Sequence, residues 1–273
     1  MPIMIQSLEE WAQAATPDLL SVIIPAHNEE GCIEETIRNF ETALSDAGVP
    51  HEILVINDNS SDRTEEILKS LESELPSLSH INNEPPNGFG FAVRVGLTAF
   101  KGECVALVMA DGSDDPKDLV KFYRKWKEGY DCVFGTRFHR DSTCKDYPLF
   151  KLILNRIGNL FIKSMFLMGY NDTTNAFKLY SRDVIAGLQP LLSYQFNLTV
   201  ELPLKAISRG FSYAVVPNNW YNRTEGVSKF RVDELGSRYI FIVLYCWLEK
   251  QFSKSDYVDM EHMRHLQLQV WHR

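Results

Sequence analysis

Val105-Ala-Leu-Val-Met-Ala-Asp111 is an apolar run that stops on a carboxylate, and Gly112-Ser-Asp-Asp-Pro116 follows it. A run this uniformly apolar, bounded by Gly102 and Gly112, reads as a strand buried on both faces. Such a strand sits inside a parallel sheet with helices packed on each side. Its carboxylates then fall at the C-terminal edge of the sheet, where open α/β sheets bind ligands. Hard oxygen ligands at that edge suit a divalent cation, Mg2+ or Mn2+, which can in turn hold a diphosphate.

The first half of the chain supports this reading by alternation. Strand patterns at Leu19–Pro25, Glu52–Ile56, Ser79–Asn82, Val105–Met109 and Asp131–Phe134 are separated by helical patterns. The helical patterns run over Glu29–Leu44, Asp62–Leu75, Gly90–Phe100 and Pro116–Lys127. Repeated β-α-β spacing predicts a doubly wound, mostly parallel sheet with helices on both faces. Beyond Gly135 the pattern loosens. Leu149–Met168 reads as a basic amphipathic helix, Leu198–Ser208 as a helix, Ser212–Val216 as a strand and Val232–Gln251 as a final helix. The expected division is an N-terminal extension (1–18), an α/β domain (19–230) and a C-terminal helix with a polar tail (231–273), the last a candidate for an interface with lipid.

Composition narrows the function. A formal charge of −8 over 273 residues excludes nucleic acid as the main partner. Five cysteines with no CxxC pair read as reduced thiols in a cytoplasmic setting. No basic stretch with a following apolar core opens the chain, and no apolar run reaches the ~20 residues that span a bilayer. The expected location is the cytoplasm, with peripheral contact at the cytoplasmic face of a membrane.

Two loops flank the strand ends. Pro25-Ala-His-Asn-Glu29 follows the first strand, and Asn57-Asp-Asn-Ser-Ser-Asp-Arg-Thr64 follows the second. Pro25, Ala26, Asn28 and Glu29 lie where a nucleoside would cross the sheet edge, although Asn28 or Glu29 can equally cap the next helix. Asp58 is placed to accept hydrogen bonds from a base or ribose. Asn87-Gly-Phe-Gly-Phe-Ala-Val-Arg94 resembles a dinucleotide fingerprint only superficially, because Val93 replaces the third glycine. Arg94 can meet a phosphate or lie on a solvated helix face. Asp115-Pro116 followed by Asp118 explains itself as a helix start. Asp111 is left over as the metal candidate, with Ser113 or Asp114 beside it. Arg137, Arg156, Lys178, Arg223 and Lys229 each read singly as surface charges, but Arg223-Thr-Glu-Gly-Val-Ser-Lys229 suits a phosphate-gripping loop.

Taken together and in this order, the motifs resemble the GT-A glycosyltransferases of family 2, with the nearest likeness to the dolichol-phosphate mannose synthase branch. Leu20–Asn28 (LSVIIPAHN) is similar to that family's first strand and P-x-x-N-E loop, and Val55–Thr64 (VINDNSSDRT) to its V-D-D-x-S-x-D-x-T segment. Gly102–Pro116 matches its metal-motif strand, Phe134–Phe138 its G-S-R-Y element, Asp172–Lys178 its D-x-T-x-x-F-R segment, and Arg223–Lys229 its R-x-x-G-x-S-K loop.

The resemblance implies an inverting hexosyltransferase that moves mannose or glucose from GDP-mannose or UDP-glucose to a polyprenyl phosphate. By it, Pro25, Ala26, Asn28, Glu29, Asp58 and Arg94 would hold the nucleotide sugar. Asp111 and Ser113 would hold Mg2+ or Mn2+ and the diphosphate. Arg137, Arg156, Arg223 and Lys229 would meet the reacting phosphates. The chain departs from the family where Met109 replaces the first acid of D-x-D and Asn57 the first of the D-D pair. A non-lipid acceptor, and a nucleotide-sugar-binding protein without catalysis, remain as alternatives.

Overall fold

The structure, a computed structural model, describes residues 15–222 and 232–253. In chain order it begins β1 (Thr16–Ala26), α1 (Ile33–Asp46), β2 (His51–Asn57), α2 (Thr64–Glu74), β3 (Leu78–Asn82), α3 (Phe89–Ala99), β4 (Gly102–Leu107), α4 (Pro116–Trp126) and β5 (Cys132–Thr136). There follow β6 (Cys144–Lys145), α5 (Leu149–Phe166), β7 (Lys178–Ser181), α6 (Arg182–Gly187), α7 (Leu198–Ser208), β8 (Tyr213–Pro217), β9 (Trp220–Tyr221) and α8 (Val232–Phe252).

Seven strands form one sheet in the order β3-β2-β1-β4-β7-β5-β8, and β6 pairs with β9 in a separate ribbon. Alternation along the strands builds a core on each face. Leu20, Val22 and Ile24 of β1 pack with Ile37 and Phe40 of α1 and Leu119 and Phe122 of α4. Ile23 points the other way, into a core shared with Val93 of α3 and Leu198 and Leu202 of α7. Burying each such side chain contributes about 1.5–3 kcal/mol, so both faces must stay covered. The expected doubly wound α/β architecture is observed.

Three differences from the sequence pattern have local causes. The first helix starts at Ile33 rather than Glu29, because the backbone N–H groups of Glu29 and Glu30 bond to side chains of the second loop. Neither Asn28 nor Glu29 is its cap. The central strand pairs only to Leu107, and Asp111 stands beyond it in a turn. Finally, β7 lies between β4 and β5 and runs antiparallel to both. Four residues headed by a lysine carry no strand periodicity, and only the gap between β4 and β5 makes them a strand. Lys178 is therefore fully buried, not a surface charge.

Candidate functional site

The chain leaves β1 toward β2 on one side and returns to β4 on the other, so the loops after β1 and β4 diverge. That topological switch point opens a crevice at the carboxyl ends of the strands. Pro25 pairs with Ile56 on the β2 side, whereas the β1–β4 ladder has already ended at Ile23 opposite Leu107. The proline thus lacks an N–H where no ladder bond is needed.

The first two loops are laced together. Asn28 takes the left-handed conformation (φ 53°), which asparagine tolerates better than most residues. Its Oδ1 accepts the Ser61 N–H at 2.7 Å, and its own N–H donates to Ser60 Oγ at 3.0 Å. Glu29 N–H donates to Thr64 Oγ1 at 2.9 Å, and Asp58 N–H to Ala26 O at 2.7 Å. His27 Nδ1 donates to Asp58 O at 2.6 Å.

The buried Asp58 carboxylate already accepts three N–H groups. Asn83 Nδ2 (2.7 Å) and Asn87 Nδ2 (3.2 Å) bond Oδ1, and Gly88 N (2.8 Å) bonds Oδ2. Asp58 therefore knots the loop after β3 to the crevice wall. Arg94 departs from expectation more clearly. Its guanidinium donates to Leu191 O at 2.8 Å and lies over the Tyr194 ring at 4.4 Å, tying α3 to the 191–194 segment rather than standing ready for a phosphate.

The acidic loop sits on the other lip. Thr36 Oγ1 of α1 donates to Ala110 O at 3.0 Å, and Ser113 N–H donates to Asp111 Oδ1 at 3.1 Å. Gly112 between them has φ 69°, which a side chain would strain. Tyr221 N–H donates to Ser113 O at 3.0 Å, so β9 closes over the loop. Asp114 turns inward and accepts the Met109 N–H at 3.2 Å. Burial, and then the charge of Asp111, push its carboxyl up to about 7. Asp115 caps α4 through the Lys117 N–H, as its sequence context predicts. Asp118 does more than sit in the first turn: it accepts the Asn219 N–H at 2.6 Å and binds the β8–β9 connection.

Two of the predicted cations come together. The guanidinium carbons of Arg137 and Arg156 lie 5.4 and 4.5 Å from the Phe138 ring centre. Arg137 is held in place by the fully buried Asp172, through Nε to Oδ2 at 2.9 Å and Nη2 to Oδ1 at 2.7 Å. Burial works against the Arg137 charge, and the adjoining Asp172 charge and hydrogen bonds more than offset it, so the Arg137 pKa is raised. Arg156 is exposed on α5. Arg223 and Lys229 lie outside the described residues.

Sequence reasoning missed two buried supports. Lys178 Nζ donates to Thr173 O and Thr199 O (both 3.1 Å) and to Asn175 O, locking the 172–175 turn to α7, while burial lowers its pKa to about 7. Glu201 and Lys205 form a fully buried ion pair at 2.7 Å. Glu201 also accepts the Leu192 and Ser193 N–H groups, each at 2.7 Å. Their signal was present: two opposite charges four apart in the otherwise apolar helix Leu-Thr-Val-Glu-Leu-Pro-Leu-Lys-Ala.

Among the described residues no three His, Cys, Asp or Glu side chains form a metal cage. Asp111 offers a carboxylate and Ser113 a hydroxyl, whereas Met109 offers a thioether that hard cations do not favour. This set fits Mg2+ or Mn2+ only when substrate phosphate and water complete the coordination, which is how Mg2+ commonly binds.

Residues 21–188 match the family described as Glycosyl transferase family 2. The chain is 28% identical over 233 residues to polyprenol monophosphomannose synthase of Mycolicibacterium smegmatis, covering 80% of this chain and 86% of that protein. Among solved structures, glucosyl-3-phosphoglycerate synthase from Mycobacterium tuberculosis in complex with Mn2+, UDP and phosphoglyceric acid superposes with a TM-score of 0.64. It is 18% identical, with 88% of this chain and 82% of that one covered. The same enzyme with Mg2+ and UDP gives a TM-score of 0.63 at 18% identity, covering 89% and 83%. At that identity the likeness to the solved structures is one of fold.

Proposed function

The chain belongs to glycosyl transferase family 2, and from that premise we propose that it transfers a hexose from a nucleotide sugar to a polyprenyl phosphate with inversion. One observation carries the choice of acceptor. Helix α5, whose Asn155 and Asn159 bond Thr174 beside Arg137, turns Leu149, Phe150, Ile153, Ile157, Leu160 and Phe161 to the outside. The helix contains Lys151, Arg156 and Lys163 and no acid, in a chain whose net charge is −8. An exposed apolar face edged only by cations suits the surface of an anionic bilayer. The relative named for polyprenol monophosphomannose synthesis supports the same acceptor class.

The laced loops at Pro25–Glu29 and Asp58 would form the nucleoside wall, with Ala26 at the end of β1 giving the base a flat approach. Asp111 and Ser113 would hold the divalent cation against the donor diphosphate. Bound there, the cation would neutralise charge developing on the departing nucleoside diphosphate. An acceptor phosphate is ionised near neutral pH and needs no strong general base to attack the anomeric carbon. Arg156, exposed beside the fixed Arg137, would draw that phosphate to the crevice. The five cysteines are all unpaired, which fits a reducing compartment and hence the cytoplasmic face of a membrane.

Transfer is measured with GDP-mannose and UDP-glucose, with and without a short polyprenyl phosphate, in Mg2+, Mn2+ or EDTA. Metal-dependent release of one nucleoside diphosphate only when the lipid phosphate is present is the expected result. Transfer to phosphoglycerate or another soluble acceptor instead would overturn the lipid assignment and keep the reaction class.

A further inference from the structure

The ribbon of β6 and β9 ties three loops together on the acidic lip. Trp220 N–H donates to Thr143 O at 2.8 Å, Tyr221 N–H to Ser113 O at 3.0 Å and Asn222 N–H to Lys145 O at 3.2 Å. Asn219 adds two ties, its Oδ1 accepting the Thr143 N–H at 2.9 Å and its Nδ2 donating to Asp115 Oδ2 at 3.2 Å. Trp220 also forms an antiparallel bridge with Asp114, so it stands across from the loop that carries Asp111.

Two large rings meet there. The ring centres of Trp220 and Tyr147 are 4.8 Å apart, with the planes tilted by 48°. Both residues are half-buried, and neither belongs to the apolar core on either face of the sheet. The Arg137 guanidinium lies 5.7 Å from the Tyr147 ring centre. The pair therefore reaches from the loop of Asp111 to the cation fixed by Asp172. Its donor groups are unused. The Trp220 indole N–H donates to no described residue. The Tyr147 hydroxyl accepts from Asn155 Nδ2 at 3.4 Å and likewise donates to no described residue. Indole N–H and phenol O–H groups usually find a partner when they leave water.

Direct displacement with inversion puts the attacking and leaving oxygens on opposite faces of the anomeric carbon. With the donor diphosphate at Asp111 and the acceptor at Arg137 and Arg156, the hexose lies between those charges, along the border formed by Trp220 and Tyr147. A pyranose has an apolar C–H face and a rim of hydroxyls, and aromatic rings with unused donors suit both. We propose that Trp220 and Tyr147 are the platform for the transferred hexose, with the rings against its C–H face and the indole N–H on a hydroxyl. The platform sets affinity for the sugar and leaves the nucleotide to the loops after β1 and β2. The hydrogen bonds of the ribbon fix it before the donor arrives, which lowers the ordering cost of binding. This assignment rests on the nucleotide-sugar reading above and is independent of the acceptor.

Calorimetric titration of the full chain in Mg2+, without acceptor, compares UDP-glucose with UDP and GDP-mannose with GDP. Trp220→Leu and Tyr147→Leu should each weaken the nucleotide sugar that binds about tenfold, while the bare nucleotide stays within about twofold. Trp220→Phe keeps a ring and should recover most of that loss. The nucleotide sugar, and not the bare nucleotide, should shift the tryptophan emission of the unaltered chain, and Trp220→Phe should abolish the shift. That arm decides the matter if either leucine variant fails to fold, since melting is followed alongside. Sugar and bare nucleotide weakened alike, neither weakened, or an emission shift that survives Trp220→Phe would overturn the platform and leave the donor reading in place. Failure of both nucleotide sugars and both nucleotides to bind the unaltered chain would overturn the donor reading and the platform with it.

Discussion

Asp114 lies beneath Asp111 with its carboxyl out of water, and its usual value of 3.8 is raised to about 7 by that burial and by the neighbouring charge. Between those two values the folded chain keeps a proton that the unfolded chain has released. Stability therefore falls as pH rises through that window, is worst above about 7, and is restored below about 4. Asp114→Asn keeps an acceptor for the Met109 N–H and removes the ionisation. In EDTA, the unaltered protein should lose roughly 2–4 kcal/mol from pH 4 to 7 relative to this variant, read as denaturation midpoints across pH. Asp111 is the contrasting case, a partly exposed acid at the lip. Asp111→Asn should lower kcat by about 10²–10³ while the thermal midpoint stays in place; unchanged turnover would remove Asp111 from the site. Asp172 belongs with the buried groups. Asp172→Ala leaves the Arg137 cation without its partner and should destabilise the chain by about 3–5 kcal/mol in denaturant.

At the scale of elements, α5 and β7 are the two that the fold uses against type. Helix α5 buries only Asn159, Ile162 and Phe166, all in its second half. Its middle is joined to the body by amide hydrogen bonds, with Asn155 Nδ2 on Thr174 Oγ1 at 2.9 Å and Asn159 Oδ1 accepting the Thr173 N–H at 2.6 Å. Its apolar face is thus free for lipid. Ile157→Glu with Phe161→Glu should abolish flotation with anionic vesicles and shift stability by no more than about 0.5 kcal/mol, as exposed positions do. Vesicle binding that survives the double change would move the membrane contact elsewhere. Strand β7 works inward instead, carrying Lys178 into the sheet between Leu107 and Phe134. In that position its ammonium reaches three carbonyls and fixes the turn that bears Asp172.

For the whole molecule, two covered sheet faces hold the crevice open without any cation cage among the described residues. Chelation should accordingly stop transfer while leaving the thermal midpoint unchanged, a pairing read by assay and melting in the same EDTA buffer. The surface is asymmetric, acidic overall yet purely basic along α5. Association with anionic vesicles should weaken as salt rises past the ~10 Å screening length at 0.1 M.

What the amino-acid order determined by itself is the doubly wound sheet and the placement of its loops. Apolar runs of strand length, amphipathic helices between them and Asp115-Pro116 at a helix start are local signals, and local physics reads them directly. The position of Asp111 at the sheet edge followed from the same signals. Tertiary structure alone decided which charges meet. Asp172 pairs with Arg137 across 35 residues, Asp118 holds the Asn219 N–H across 101, and Arg94 reaches Leu191 across 97. Nothing at either end of those contacts marks its partner, because a buried charge is defined by what the fold brings against it.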